Sequence, residues 1–95
     1  MSKYEEAVVC IERAMERLKV PGAWTNRKPR ADGEYCVLTA LVAEASSKSL
    51  GLITYALYMV LKVSSIAGWN DTPGRTLDEV LAALEAARIK LKEMQ

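Results

Sequence analysis

The sequence predicts an all-α fold, a compact up-down-up-down bundle of four helices with a long loop between the first two. Three observations predict it. Near the N-terminus the apolar residues Tyr4, Val8, Ile11, Met15 and Leu18 recur at steps of four and three. A similar spacing returns in Leu77, Val80, Leu84, Ala87, Leu91 and Met94. Each of these segments opens on a capping box, Ser2 with Glu5 and Thr76 with Glu79, in which a hydroxyl and a carboxylate satisfy amides that a helix start leaves unpaired. Ninety-five residues make one domain, 1–95, with a core of limited size.

The first helix begins at about residue 3 and stops at Val20-Pro21-Gly22, since proline cannot continue it and glycine permits the exit. Ala23 to Gly33 reads as a loop, long for a compact helical domain. The second helix is predicted from about Glu34 to Ser46, with Asp32 as its cap and Tyr35, Leu38, Leu41, Val42 and Ala45 facing inward. Ser46-Ser47-Lys48-Ser49 is the expected connection. The third helix runs from about Leu50 to Ile66. One stripe is Leu50, Ile53, Leu57 and Leu61; another is Leu52, Ala56, Met59, Val63 and Ile66. A helix apolar on two faces is either central to its own bundle or shared with a second copy. Before the last helix, Pro73 fixes φ at the second position of a β-turn, and Gly74 permits positive φ at the third.

Composition excludes much. Thirteen basic and 12 acidic residues leave a net charge of +1, which argues against a nucleic-acid packaging protein. A chain that is 51% hydrophobic and 26% charged is expected to fold. There is no histidine, so the Ser-His and Cys-His dyads and every His-containing zinc site are excluded, and two cysteines alone cannot close a zinc site. No catalytic residues, metal or cofactor are expected. From Tyr35 to Trp69 only Glu44, Lys48 and Lys62 are charged. The longest uncharged run there, Ser49 to Leu61, still falls short of the roughly 18 to 20 apolar residues a membrane span needs. Ser2 to Glu6 has no apolar signal region, so a cytoplasmic setting with free thiols is expected.

An up-down-up-down order places segments 20–33 and 67–75 at one end, beside the starts of the second and fourth helices. Helix starts favour anions. That end collects Trp24, Arg27, Lys28, Arg30, Trp69, Asn70, Asp71 and Arg75, with Asp32 and Glu34 opposing the cations. Arginine offers a fork for phosphate or carboxylate, and tryptophan a flat apolar face. The alternative is purely structural: Trp24 and Trp69 cover the bundle end, Asn70 and Asp71 cap local amides, and Arg75 pairs with Asp71 or Asp78. Cys36, in the first turn of the second helix, is either a reactive thiol or a small buried apolar group. Cys10 is poorly placed to bridge to it. Tyr55 and Tyr58 are candidate interface residues of a homodimer.

The segments Trp24-Thr25, Tyr35-Cys36-Val37-Leu38-Thr39-Ala40-Leu41 and Trp69-Asn70-Asp71-Thr72-Pro73-Gly74-Arg75-Thr76 resemble a family of small uncharacterised proteins of bacteriophage and actinobacterial genomes. Its members carry a Trp-Thr pair, a Trp-Cys-Ala-x-Gly-Ala-Leu segment and an Asn-Asp-x-Pro-Gly-Arg-Thr segment. The last matches here without gaps. In the cysteine segment Tyr35 stands for Trp, Val37 for Ala and Thr39 for Gly. The resemblance covers about residues 24 to 90 and implies a phage or mobile-element accessory protein, with no activity to carry over.

The leading expectation is a non-enzymatic interaction protein that binds a host or defence protein. The alternative is a module that binds a nucleotide or other anionic small molecule at the 20–33 and 67–75 end. A DNA-binding regulator comes third, because its recognition helix is expected to be polar and basic, and the third helix is neither.

Overall fold

The first helix forms as its spacing requires. In the computed structural model, which describes residues 2–30 and 32–95, α1 spans Lys3–Lys19. Met1 and Ala31 lie outside the described residues, and with them one position of the 20–33 loop and the first of the 1–95 domain. Ser2 Oγ accepts the Glu5 amide at 3.2 Å, but among the described residues no return bond to the Glu5 carboxylate closes the expected box, so Ser2 is a simple N-cap. Ala7, Ile11, Ala14 and Leu18 are fully buried, so one face of α1 is core. Truncating such a leucine or isoleucine to alanine costs about 2–5 kcal/mol.

Four further helices follow: α2 (Val37–Glu44), α3 (Ser47–Leu61), α4 (Ile66–Asn70) and α5 (Leu77–Glu93). The all-α bundle read from the sequence is thus the observed architecture. α1 packs against α2, α3 and α5, α3 packs also on α5, and α4 sits against α2 and α3. The core between them is aliphatic: Ile11, Leu18, Leu41, Ile53, Leu57, Leu84 and Leu91 are the largest of its fully buried side chains.

Three boundaries differ from the sequence reading. α2 starts at Val37, not near Glu34, because Cys36 and not Asp32 is its cap. The Thr39 amide reaches Cys36 Sγ at 3.5 Å, and Thr39 Oγ1 accepts the Cys36 amide at 2.9 Å, a reciprocal box built on a thiol. α2 ends at Glu44, and Ser46 caps α3 through the Ser49 amide at 3.3 Å, so Ser47-Lys48-Ser49 belongs to α3 and not to a connection. The expected third helix, 50–66, breaks after Leu61. Lys62 closes α3 in the left-handed region at φ 56°, and Ser65 starts α4 by accepting the Gly68 amide at 3.0 Å. Of the residues expected to face inward from α2, Leu41 does so and Val42 does not; it is 59% exposed.

α5 follows its pattern throughout. Thr76 and Glu79 form the full capping box, with the Glu79 amide 3.2 Å from Thr76 Oγ1 and the Thr76 amide 3.0 Å from Glu79 Oε1. The turn before it is also as read: the Arg75 amide donates to the Thr72 carbonyl at 3.0 Å, with Gly74 at φ 84°. Among the described residues, no helix is long and apolar enough to cross a membrane.

Candidate functional site

The long loop after α1 is held shut at its neck. The Thr25 amide donates to the Tyr35 carbonyl at 2.9 Å, and the Tyr35 amide to the Ala23 carbonyl at 2.6 Å, a single parallel bridge between Trp24 and Tyr35. Arg27 and Glu34 pair across the loop at 3.2 Å. Such ties offset the entropy of closing a long connection.

Asn70 joins this loop to the rest of the chain. It is the last residue of α4 and is completely buried. Its Oδ1 accepts the Trp24 indole N–H at 2.9 Å and the Val37 amide at 3.1 Å. Its Nδ2 donates to the Thr25 carbonyl at 3.0 Å and to Asp71 Oδ1 at 2.9 Å. Two donors meet the oxygen and two acceptors meet the nitrogen, so the partners themselves fix the orientation of the amide. One side chain therefore holds the first amide of α2, anchors an indole, pins the loop and engages its neighbour.

Trp69 and Arg75 form a second unit beside it. The Arg75 guanidinium lies 4.2 Å from the centre of the Trp69 ring, a cation–π contact. Its Nε donates to the Trp69 carbonyl at 2.9 Å, and Nη1 pairs with Glu79 at 3.0 Å. Arg75 thus pairs with neither Asp71 nor Asp78. The Glu79 carboxyl is held below the ordinary carboxylate range, chiefly by the Thr76 backbone N–H; desolvation opposes this, and the Thr76 hydroxyl and Arg75 add to it. A cleft of about 360 Å³ opens here, lined by Val63, Ser65, Gly68, Trp69, Thr72 and Arg75.

The sequence-derived candidates therefore fall into groups. Trp24, Asn70 and Asp71 share one buried hydrogen-bond junction. Trp69 and Arg75 stack next to it. Arg27 faces Glu34, while Lys28 and Arg30 are exposed on the loop. Part of each helix start is already engaged within the chain: the Val37 amide donates to Asn70, the Thr39 amide to Cys36 Sγ, and the Glu79 amide to Thr76 Oγ1. Cys36 is buried and, like Cys10, a free thiol. Tyr55 and Tyr58 lie elsewhere, on the outer face of α3 with Met59, at 55%, 43% and 38% exposure.

A second polar cluster had no signal in the sequence. Arg17, which lies outside the apolar stripe of α1, donates to Glu44 at the end of α2 and to the Tyr35 hydroxyl, the latter at 2.7 Å. The Glu44 carboxylate holds its guanidinium above the ordinary arginine value. This cluster edges an open groove of about 660 Å³ between α1 and α2. The groove lies apart from the Asn70 junction and carries both signs of charge, with Arg13 and Arg17 against Glu12, Glu16 and Glu44. No group of three or more Cys, Asp or Glu side chains among the described residues could hold a metal ion.

An all-helical domain whose connecting segments are tied by one buried asparagine is the class defined by this geometry. The chain belongs to a family of unknown function, DUF6197, whose model matches residues 3–89 and so takes in α1 to α4 and most of α5. No curated protein and no solved structure matches the sequence.

Proposed function

We propose that this chain is a small non-enzymatic interaction protein that engages another protein, acting as an accessory of a phage or mobile element on a host or defence component. The observation that carries the reading is the outer face of α3, where Tyr55, Tyr58 and Met59 stand in solvent on a regular helix. These are residue types enriched where proteins meet. The face is not a gap in the core. The Cα radius of gyration is 12.3 Å, against about 12.4 Å for a folded domain of this length. The likeness of the Trp69–Thr76 segment to phage and actinobacterial proteins supports the setting.

The anionic-ligand reading has less behind it. The cleft beside Trp69 and Arg75 favours it, but the Arg75 and Arg27 guanidiniums already face Glu79 and Glu34. Calorimetry of the chain against mononucleotides and inorganic phosphate separates the two readings. No heat of binding is expected. A saturable 1:1 isotherm that disappears in Arg75→Ala would overturn the protein-partner reading in favour of the anion.

A further inference from the structure

We infer that the outer face of α3 is a docking strip for an amphipathic helix with acidic ends, supplied by a different protein rather than by a second copy of this chain. The inference rests on the protein-partner reading above and names the partner's chemistry.

The strip is defined by what α3 leaves uncovered. Ser49, Ile53, Ala56 and Leu57 turn to the core, so Lys48, Gly51, Tyr55, Tyr58 and Met59 share the opposite side, with Lys62 at its C-terminal end, all of them exposed. Tyr55 stands at its middle, and exposed Gly51 leaves room for a helix to approach closely: a Cβ there would meet nothing within 4 Å. A helix seated on such a stripe uses anchors at one-turn spacing.

The charge pattern selects the occupant. Lys48 is the one charged residue within α3, and Lys62 is its C-cap. They stand about 21 Å apart along the axis at 1.5 Å per residue. No carboxylate lies on the helix between them. A partner with carboxylates toward both ends meets a cation at each. A second copy does not. Packed antiparallel on the same face, each Lys48 lies beside the other copy's Lys62; packed parallel, like lysine faces like. Two lysines are also few for an anionic membrane surface, which is recognised by clusters of about four to eight.

Lys62 adds an independent observation. It is the only non-glycine residue at positive φ among the described residues, at a helix end where glycine is favoured. The chain keeps a cation at the end of the strip in a conformation that glycine would adopt without strain.

The test is a selection of displayed peptides of about 20 residues, ~30 Å when helical, on the full chain, with affinities then read by fluorescence anisotropy. The enriched peptides are expected to be amphipathic with Asp or Glu toward both ends. Tyr55→Arg, at an exposed site that leaves the core intact, is expected to weaken them at least tenfold. Lys48→Glu with Lys62→Glu is expected to select basic-ended peptides instead. Lys62→Gly is expected to raise the melting temperature while weakening binding about threefold, a split that a merely structural lysine would not give. Peptides that bind Tyr55→Arg as tightly as wild type, or that show no acidic bias, overturn the inference and leave the wider protein-partner reading standing. A wild-type dimer in sedimentation that Tyr55→Arg dissociates, or Tyr55-dependent binding to phosphatidylserine vesicles, overturns the inference too and removes the α3 face as support for the wider reading.

Discussion

The indole N–H of Trp24 lies 2.9 Å from Oδ1 of Asn70, 46 residues away in the chain. That bond brings the loop after α1 against the end of α4, and the same oxygen holds the first amide of α2. Among the described residues, no buried side-chain nitrogen or oxygen lacks a hydrogen-bond partner. The junction is a closed set, so removing its centre leaves several groups unpaired at once.

Asn70→Ala strands the Trp24 indole, the Val37 amide and the Thr25 carbonyl. Buried groups left unsatisfied cost about 1–3 kcal/mol each, less where water enters. A loss of about 3 kcal/mol is expected, or roughly 15 °C in melting temperature for a domain this small. A circular dichroism melt checks it. Asn70→Asp does not restore stability, because it replaces a donor with an anion beside the Thr25 carbonyl and the Asp71 carboxylate.

Arg75→Ala removes the stack on Trp69, the bond to the Trp69 carbonyl and the pair with Glu79. About 1–2 kcal/mol is expected to go with them, together with a change in tryptophan emission. Arg75→Lys is expected to recover little, since an ammonium cannot stack flat and donate in two directions at once. Paired melts and fluorescence spectra of the two variants test this.

Acid is expected to weaken the start of α5. The Glu79 carboxyl is held below its ordinary value of 4.5 in the folded chain. Its contribution to stability is therefore complete above that value and is lost as pH falls through the lower, folded one. Melting temperatures followed from pH 6 to pH 2.5 are expected to fall less steeply in Glu79→Gln, which keeps a capping side chain without the charge. Equal slopes for the two proteins would contradict this.

Cys36 is buried and engaged as a helix cap, whereas Cys10 is half-buried on α1. Iodoacetamide is expected to label Cys10 first in the native protein and Cys36 only as denaturant is added. Mass spectrometry of the two peptides reads the order. Rapid native labelling at Cys36 would instead mark a reactive thiol.

How much of this was legible depends on the kind of signal. α1, α5 and the Thr72–Arg75 turn were legible because each is written locally, in capping residues and one-sided apolar spacing. The convergence of the 20–33 and 67–75 segments followed from topology alone. The start of α2 was missed because a thiol is an uncommon cap, and the reciprocal bond from Thr39 has no familiar signature. The break after Leu61 was missed because Lys62 takes a left-handed conformation with neither glycine nor proline to announce it. The role of Asn70 was out of reach: its partners lie at Trp24, Thr25 and Val37, and local patterns offer it only its neighbours. Arg75 was different: it read either as an available cation or as a partner of Asp71 or Asp78, whereas its carboxylate is that of Glu79, four residues on, which the capping box also uses.

The Asn70 junction fastens the fold, and the proposed site of recognition is α3 instead. An amide NMR titration of the full chain with an acid-ended helical peptide tests it directly, because the Trp24 indole N–H and the Val37 amide report the junction in the same spectrum. Resonances from Lys48 to Lys62 are expected to move and those two reporters to stay. Movement of the Trp24 and Val37 signals, with the α3 face unperturbed, would contradict the proposed site.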